Sequence, residues 1–188
     1  KSGNRILTIV IVIVVILLLV AWGTGVYNKI VSANEKVATE WSNVETQYQR
    51  RADLIPNFVN TVKWAAAFEQ ETLTRVIEAR ARATQVTVDP SNITPEQLRE
   101  FQAAQTEVIS ALARLMVVVE QYPELKATQN YRDLQVELEG TENRISVARN
   151  NFNEAARAYN TFIKQFPPNI IAGLTGFKQR PYFEAKEG

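Results

Sequence analysis

Residues 131–166 read YRDLQVELEGTENRISVARNNFNEAARAYNTFIKQF, and the spacing in this stretch decides the fold. Tyr131, Leu134, Leu138, Thr141, Ile145, Ala148, Phe152, Ala155, Tyr159, Phe162 and Phe166 recur at strictly alternating intervals of three and four. That rhythm puts them on one stripe of a long helix and predicts packing against other helices at a shallow angle. Pro167 and Pro168 end it.

The same spacing appears upstream. Tyr27, Ile30, Asn34, Val37, Trp41, Val44 and Tyr48 form one seam, and no proline interrupts residues 25–55. Pro56 is expected to break or kink this run, with Asp53 capping a second helix that carries Ile55, Val59, Val62, Ala66, Leu73 and Val76 to about Thr84. Asp89-Pro90-Ser91-Asn92 is a turn signal. Thr94-Pro95-Glu96-Gln97 then predicts a capping box with proline in the first helical turn. The third helix bears Leu98, Phe101, Val108, Leu112, Leu115, Val119 and Tyr122 before Pro123 stops it.

Ahead of these helices, residues 6–22 (ILTIVIVIVVILLLVAW) hold no charge, and extended to Tyr27 they are long enough to cross a bilayer. Ile6, Leu7, Ile9, Val10, Leu17, Leu18 and Leu19 would face lipid, with Trp22 and Tyr27 at the interface. The run exceeds the apolar core of a cleaved leader, and Ala21-Trp22-Gly23 is a poor cleavage site, so a retained anchor is expected. Lys1 and Arg5 before the span nearly balance Lys29 and Lys36 after it. The reading leans to a cytoplasmic N-terminus with the body on the exported side. The expected architecture is all-α: an N-terminal transmembrane helix (1–27), an antiparallel up-and-down four-helix bundle of long helices (28–168), and a C-terminal tail (169–188). Phe177, Tyr182 and Phe183 suggest that the tail packs on the bundle or on a neighbour.

Composition narrows the function. Among 188 residues there are 21 Lys+Arg and 20 Asp+Glu, a formal charge of +1 that argues against a nucleic-acid surface. With neither cysteine nor histidine, the chain lacks thiolate chemistry, the usual neutral-pH base and the commonest metal ligand. An all-carboxylate metal site from Glu69, Glu71, Glu137 and Glu142 can be imagined. Solvated helix faces account for those residues more simply, since Glu137 and Glu142 do not share a face. No serine sits in a strained turn, and the glycines match no phosphate loop. The expectation is a protein without catalytic residues, cofactor or metal.

Two features suggest partners. Leu115-Met116-Val117-Val118-Val119 points apolar side chains in every direction, and Phe58, Trp64 and Phe68 fall off the second seam. Either a wide core or an intermolecular surface explains them. On the second reading Phe58, Trp64, Phe68, Met116 and Val117 are candidate contacts in a homo-oligomer. Arg50-Arg51-Ala52-Asp53, with Pro56 and Asn57, stands at the expected junction of the first two helices. It is either capping and dipole balance or a polar corner that meets another membrane protein.

The segments YNKIVSANEKV, WSNVETQYQRRADLIPNFVNTVK, LTRVIEARA, YPELKATQNYRDLQVELEGTENRISVARNNFNEAARAYN and GFKQRPYFE resemble the LemA family of bacterial membrane proteins over nearly all of the chain after the anchor. Arg50, Arg51, Asp53, Leu54, Pro56 and Asn57 match its first block. Glu137, Thr141, Glu142 and Asn143 belong to the second. The resemblance implies a single span of the bacterial inner membrane followed by a helical bundle. It implies no known activity or catalytic residue. Relatives in magnetosome membranes make membrane organisation the natural expectation, by analogy. The leading reading is a membrane-anchored bundle that self-associates and scaffolds or shapes the membrane. The alternative is an adaptor or sensor that binds a membrane protease or signalling component.

Overall fold

α1 (Ser2–Val62) is a single helix of 61 residues that leaves the apolar N-terminal stretch and continues, unbroken, into the body of the protein. At 1.5 Å per residue it is about 90 Å long. The structure, a computed structural model, describes residues 2–64 and 70–184. After α1 come α2 (Gln70–Gln85), α3 (Pro95–Val119), the single turn α4 (Pro123–Lys126), α5 (Gln129–Lys164) and α6 (Pro168–Thr175), and the described residues contain no strand. The fold is all-α.

α1 and α5 run antiparallel over most of the body. Trp41 meets Phe152, Arg51 meets Glu142, and Phe58 meets Tyr131. α3 runs alongside α1 in the same direction, with Phe101 on Trp41 and Tyr48, while α2 returns between them and pairs Arg82 with Glu107 of α3. The helices therefore alternate up, down, up, down. The starts of α3 and α5 are chemically marked. Thr94 Oγ1 accepts from Gln97 N and Gln97 Oε1 accepts from Thr94 N, both at 3.2 Å, which completes the capping box. Thr128 caps α5 by accepting from Tyr131 N.

The core has two apolar compartments. One is built on Val26, Ile30, Val37, Trp41 and Val44 of α1 against Phe152, Ala156 and Tyr159 of α5, with Phe101 and Phe183. The other joins Ile55, Phe58 and Val62 to Val76 of α2, Leu112, Leu115 and Val119 of α3, Leu125 and Tyr131. α2 is only 16 residues long and covers the second compartment alone. Buried Val88 and Ile93 of the connection to α3, together with Phe183 near the C-terminus, close the first compartment.

Three expectations need correction. Pro56 does not break the chain into a new helix, and Asp53 is not an N-cap but an internal residue accepting from Gln49 Nε2 at 2.7 Å. A proline inside a helix orphans the carbonyl four residues earlier. Here that group, Ala52 O, accepts from Arg80 Nε of α2 at 2.7 Å. The orphan is satisfied from another helix, so the chain can remain helical. The first connection accordingly falls after Val62, and Ala66 of the expected stripe lies outside the described residues. Phe166 is not a seam residue: α5 ends at Lys164, and Phe166 is 80% exposed.

Candidate functional site

In the last third of α1 the seam that runs Tyr48, Arg51, Ile55 brings an arginine inward. Arg51 is 1% exposed. Its Nη1 donates to Glu142 Oε1 of α5 at 2.9 Å, its Nη2 donates to Gln105 Oε1 of α3 at 2.6 Å, and the guanidinium lies 4.9 Å from the Tyr48 ring centroid. Thr141, also buried, satisfies itself by donating to Glu137 O. A polar layer thus separates the two apolar compartments and ties three helices together. Burial raises the Tyr48 phenol above its usual pKa, and the nearby Arg149 and Arg51 charges offset part of that rise. Beside the layer a groove of about 740 Å³ opens between α1, α2 and α3, lined by Arg50, Arg51 and Arg80 together with Glu45, Asp53 and Gln49. This mixed-charge lining suits polar contacts. It supplies no histidine or cysteine, since the chain has none.

A second polar layer lies nearer the span. Arg180 is 5% exposed and donates through Nε to Asn34 Oδ1, through Nη1 to Asn92 Oδ1 and through Nη2 to Ser91 O, at 3.0, 2.9 and 2.8 Å. Its backbone N–H and C=O pair with Asn160 Oδ1 and Nδ2, and its guanidinium stands 5.3 Å from the Tyr159 ring centroid. One residue near the C-terminus therefore joins α1, the α2–α3 connection and α5. Three residues on, Phe183 stacks on Trp41 and meets Phe152 edge-on, while Asn153 holds its backbone at both N–H and C=O. The sequence reading missed Arg180. The available signal was the polar Asn34 on an apolar seam.

The remaining expected residues are placed as follows. Ile6, Leu7, Ile9, Val10, Leu17, Leu18 and Leu19 are all half exposed or more, the intervening apolar residues are close to half exposed, and none of the stretch is buried among the described residues. Trp22 and Tyr27 are 40% and 41% exposed at the end of this stretch. Phe58 is 2% exposed and belongs to the core beside Tyr131, so it offers no surface to a partner. Met116 is half-buried, its sulfur 3.3 Å from the Tyr131 hydroxyl. Trp64 and Val117 are 64% and 65% exposed. Phe68 and Glu69 lie outside the described residues. Arg50, Asp53, Pro56, Asn57 and Asn143 are exposed, but they lie along the helices rather than at a helix junction, and of the five only Arg50 and Asp53 line the groove. Glu71 pairs with Arg75, and Glu142 with Arg51.

A long bare apolar helix continuing into a helical bundle fits a membrane-anchored class of protein. Residues 40–188 match the model of the LemA family, and the chain belongs to that family. It is 31% identical over 177 residues to magnetosome protein MamQ 1 of Paramagnetospirillum magneticum, and 30% identical over 177 residues to magnetosome protein MamQ of Magnetospirillum gryphiswaldense. Each match covers 85% of this chain but 65% of the relative. Protein LemA of Metamycoplasma hominis is 24% identical over 160 residues, which cover 85% of this chain and 69% of that protein.

Proposed function

We propose that the protein is a non-enzymatic scaffold, anchored in the bacterial inner membrane by residues 6–27, whose bundle stands on the exported side and self-associates to organise the membrane around it. The observation that carries this reading is the exposure of Trp64 and Val117, large apolar side chains at the end of the bundle remote from the span. The likeness to proteins named as magnetosome proteins supports it, by analogy. The absence of histidine and cysteine from the sequence is consistent with a role without catalysis.

The test is size. In mild detergent the full chain should sediment as an oligomer at micromolar concentration, and Trp64→Gln with Val117→Gln should shift it to smaller species without changing its helix content. A strictly monomeric wild type overturns the proposal. Labelling Val136→Cys in intact cells with a membrane-impermeant thiol reagent tests the side of the membrane.

The groove beside Arg50 favours one other reading, an adaptor that receives a segment of another membrane protein there. A cross-linker at Arg50 that recovers one defined protein, with the product lost on Asp53→Lys, would support the adaptor over the scaffold.

A further inference from the structure

α6 has an unusual surface. Pro168 and Ala172 are its buried face, and the chain before and along its other face exposes Phe166 (80%), Ile170 (49%) and Leu174 (80%). Ile170 and Leu174 are four apart and share a side. Gly176, at φ 77°, ends the helix in the left-handed region, and Phe177 N donates to Ala172 O across the turn. These apolar residues are not scattered singly, as exposed ones usually are.

The position of the helix identifies what covers them. A β-carbon at Gly23 would lie 3.7 Å from Ile171 Cδ1, and Phe177 packs 5.8 Å from Tyr27. α6 therefore sits against α1 at the level of residues 23–27. A hydrocarbon layer of ~30 Å takes about 20 helical residues. Counted from Ile6, the first residue after Arg5, such a layer reaches about residue 25. At the depth of Gly23 the surrounding medium is then lipid or the headgroup boundary, not water. Charge agrees. Residues 6–34 and 155–183, which build most of this end of the molecule, contain Lys29, Arg157, Lys164, Lys178 and Arg180 and no Asp or Glu, and the α2–α3 connection beside them adds a single acid, Asp89. Lys29, Lys164 and Lys178 are exposed, and all three lie within a few residues of α6 or of the end of the span.

We propose that α6 is a second membrane contact: a short interfacial helix that inserts Phe166, Ile170 and Leu174 into the boundary of the bilayer beside the point where α1 emerges, with Lys29, Lys164 and Lys178 at headgroup level. This proposal rests on the membrane span but not on self-association. It converts a bundle standing on one rod into a bundle seated on the lipid surface, with its tilt held by two contacts.

The chain has no cysteine, so single-cysteine variants of the full-length protein can carry an environment-sensitive probe without further changes. Leu174→Cys and Ile170→Cys are the test positions and Trp22→Cys reports the span. Val136→Cys and Val147→Cys are controls, apolar and exposed but distant from α6 along the bundle. In vesicles of phosphatidylcholine mixed with phosphatidylglycerol, the probes at 174 and 170 should be quenched by a lipid-borne quencher and shielded from aqueous iodide several-fold relative to 136 and 147. A probe at 22 in lipid with probes at 174 and 170 as open to iodide as the controls overturns the proposal and leaves the anchor standing. A probe at 22 in water overturns both. Shielding at 174 that disappears when the protein is diluted in excess lipid assigns the face to a second copy and also overturns the proposal. Lys164→Glu with Lys178→Glu should move the 174 probe towards water, more in the anionic vesicles than in pure phosphatidylcholine.

Discussion

Replacing either member of the Arg51–Glu142 pair removes the same ion pair, yet the two replacements should differ sharply in cost. Arg51 is 1% exposed and Glu142 33%, so the two charges have unequal access to water. Glu142→Leu strands a guanidinium that keeps only Gln105 and the face of Tyr48. Breaking a buried pair in this way costs about 3–5 kcal/mol, because the remaining charge stays desolvated. Arg51→Leu leaves a carboxylate that can turn outward and hydrate, so its cost is set by packing and should be about 1–2 kcal/mol. The double variant should be nearly as stable as wild type, within about 1 kcal/mol, since nothing charged is left inside. For a chain of this size each kcal/mol moves the melting midpoint by roughly 2–4 °C. Thermal melts followed by circular dichroism in mild detergent should therefore show Glu142→Leu lower by at least ~6 °C, Arg51→Leu lower by about half as much or less, and the double variant restored. Glu71→Ala, which breaks an exposed pair with Arg75, is the control and should move stability by no more than ~0.5 kcal/mol. Equal losses for the two single variants, or a double variant no better than Glu142→Leu, would refute the idea that Glu142 neutralises a trapped arginine.

The proline inside α1 gives a second cycle. Arg80→Ala leaves Ala52 O orphaned and should cost about 1–3 kcal/mol, and most of that loss should vanish in a Pro56→Ala background, where residue 56 regains an N–H for the same carbonyl. Arg180→Ala removes three guanidinium hydrogen bonds, so trypsin should cut after Lys178 faster by an order of magnitude or more, and Trp41 emission should shift to the red as Phe183 leaves its face. Burial raises the phenol pKa of Tyr48, Tyr131 and Tyr159 above the ordinary value. The folded state therefore holds those protons more tightly than the unfolded chain. Stability should be constant with respect to them below about pH 10 and fall above it, with part of the tyrosinate absorbance appearing only as the protein unfolds.

Period and punctuation carried most of the architecture. Ile30, Val37, Trp41, Val44 and Tyr48 are all buried, as their spacing requires, and the Thr94 capping box forms with both of its bonds. What stayed hidden depends on partners far away in sequence. Pro56 carries a local instruction to interrupt a helix, and Arg80, beyond the next connection, cancels it by occupying the freed carbonyl. Arg51 looked like a capping residue because Pro56 seemed to end the helix. Without that assumption Tyr48, Arg51 and Ile55 continue the rhythm of three and four, and the arginine is visible as a polar residue on a core stripe. Phe58 fell off the seam of a helix that was assumed to restart at Pro56. In one uninterrupted α1 it points at Tyr131. Arg180 had no local signal at all, since it lies in a segment without periodicity and its partners are Asn34, Ser91, Asn92 and Asn160.

The two buried arginines explain why an uninterrupted rod is useful to an anchored protein. Apolar stripes alone permit neighbouring helices to slide by a turn, because one leucine-sized knob resembles the next. Arg180 fixes the C-terminal segment against Asn34 at the end nearer the apolar stretch, and Arg51 fixes α3 and α5 against the last third of α1. Both layers read positions on the same helix that carries the apolar N-terminal stretch, so the register of the bundle is set relative to that stretch. From Tyr27 to its end at Val62 that helix rises about 52 Å. Contacts made at Trp64 and Val117 in the proposed assembly would therefore join molecules well above the lipid. They would hold the spans at a spacing dictated by bundle geometry instead of pressing them together in the membrane. A hinge between span and bundle would let each bundle assemble without moving its span. Towards the outer end of α1, Pro56 frees the carbonyl of Ala52, and Arg80 occupies it, so the rod continues as helix to Val62.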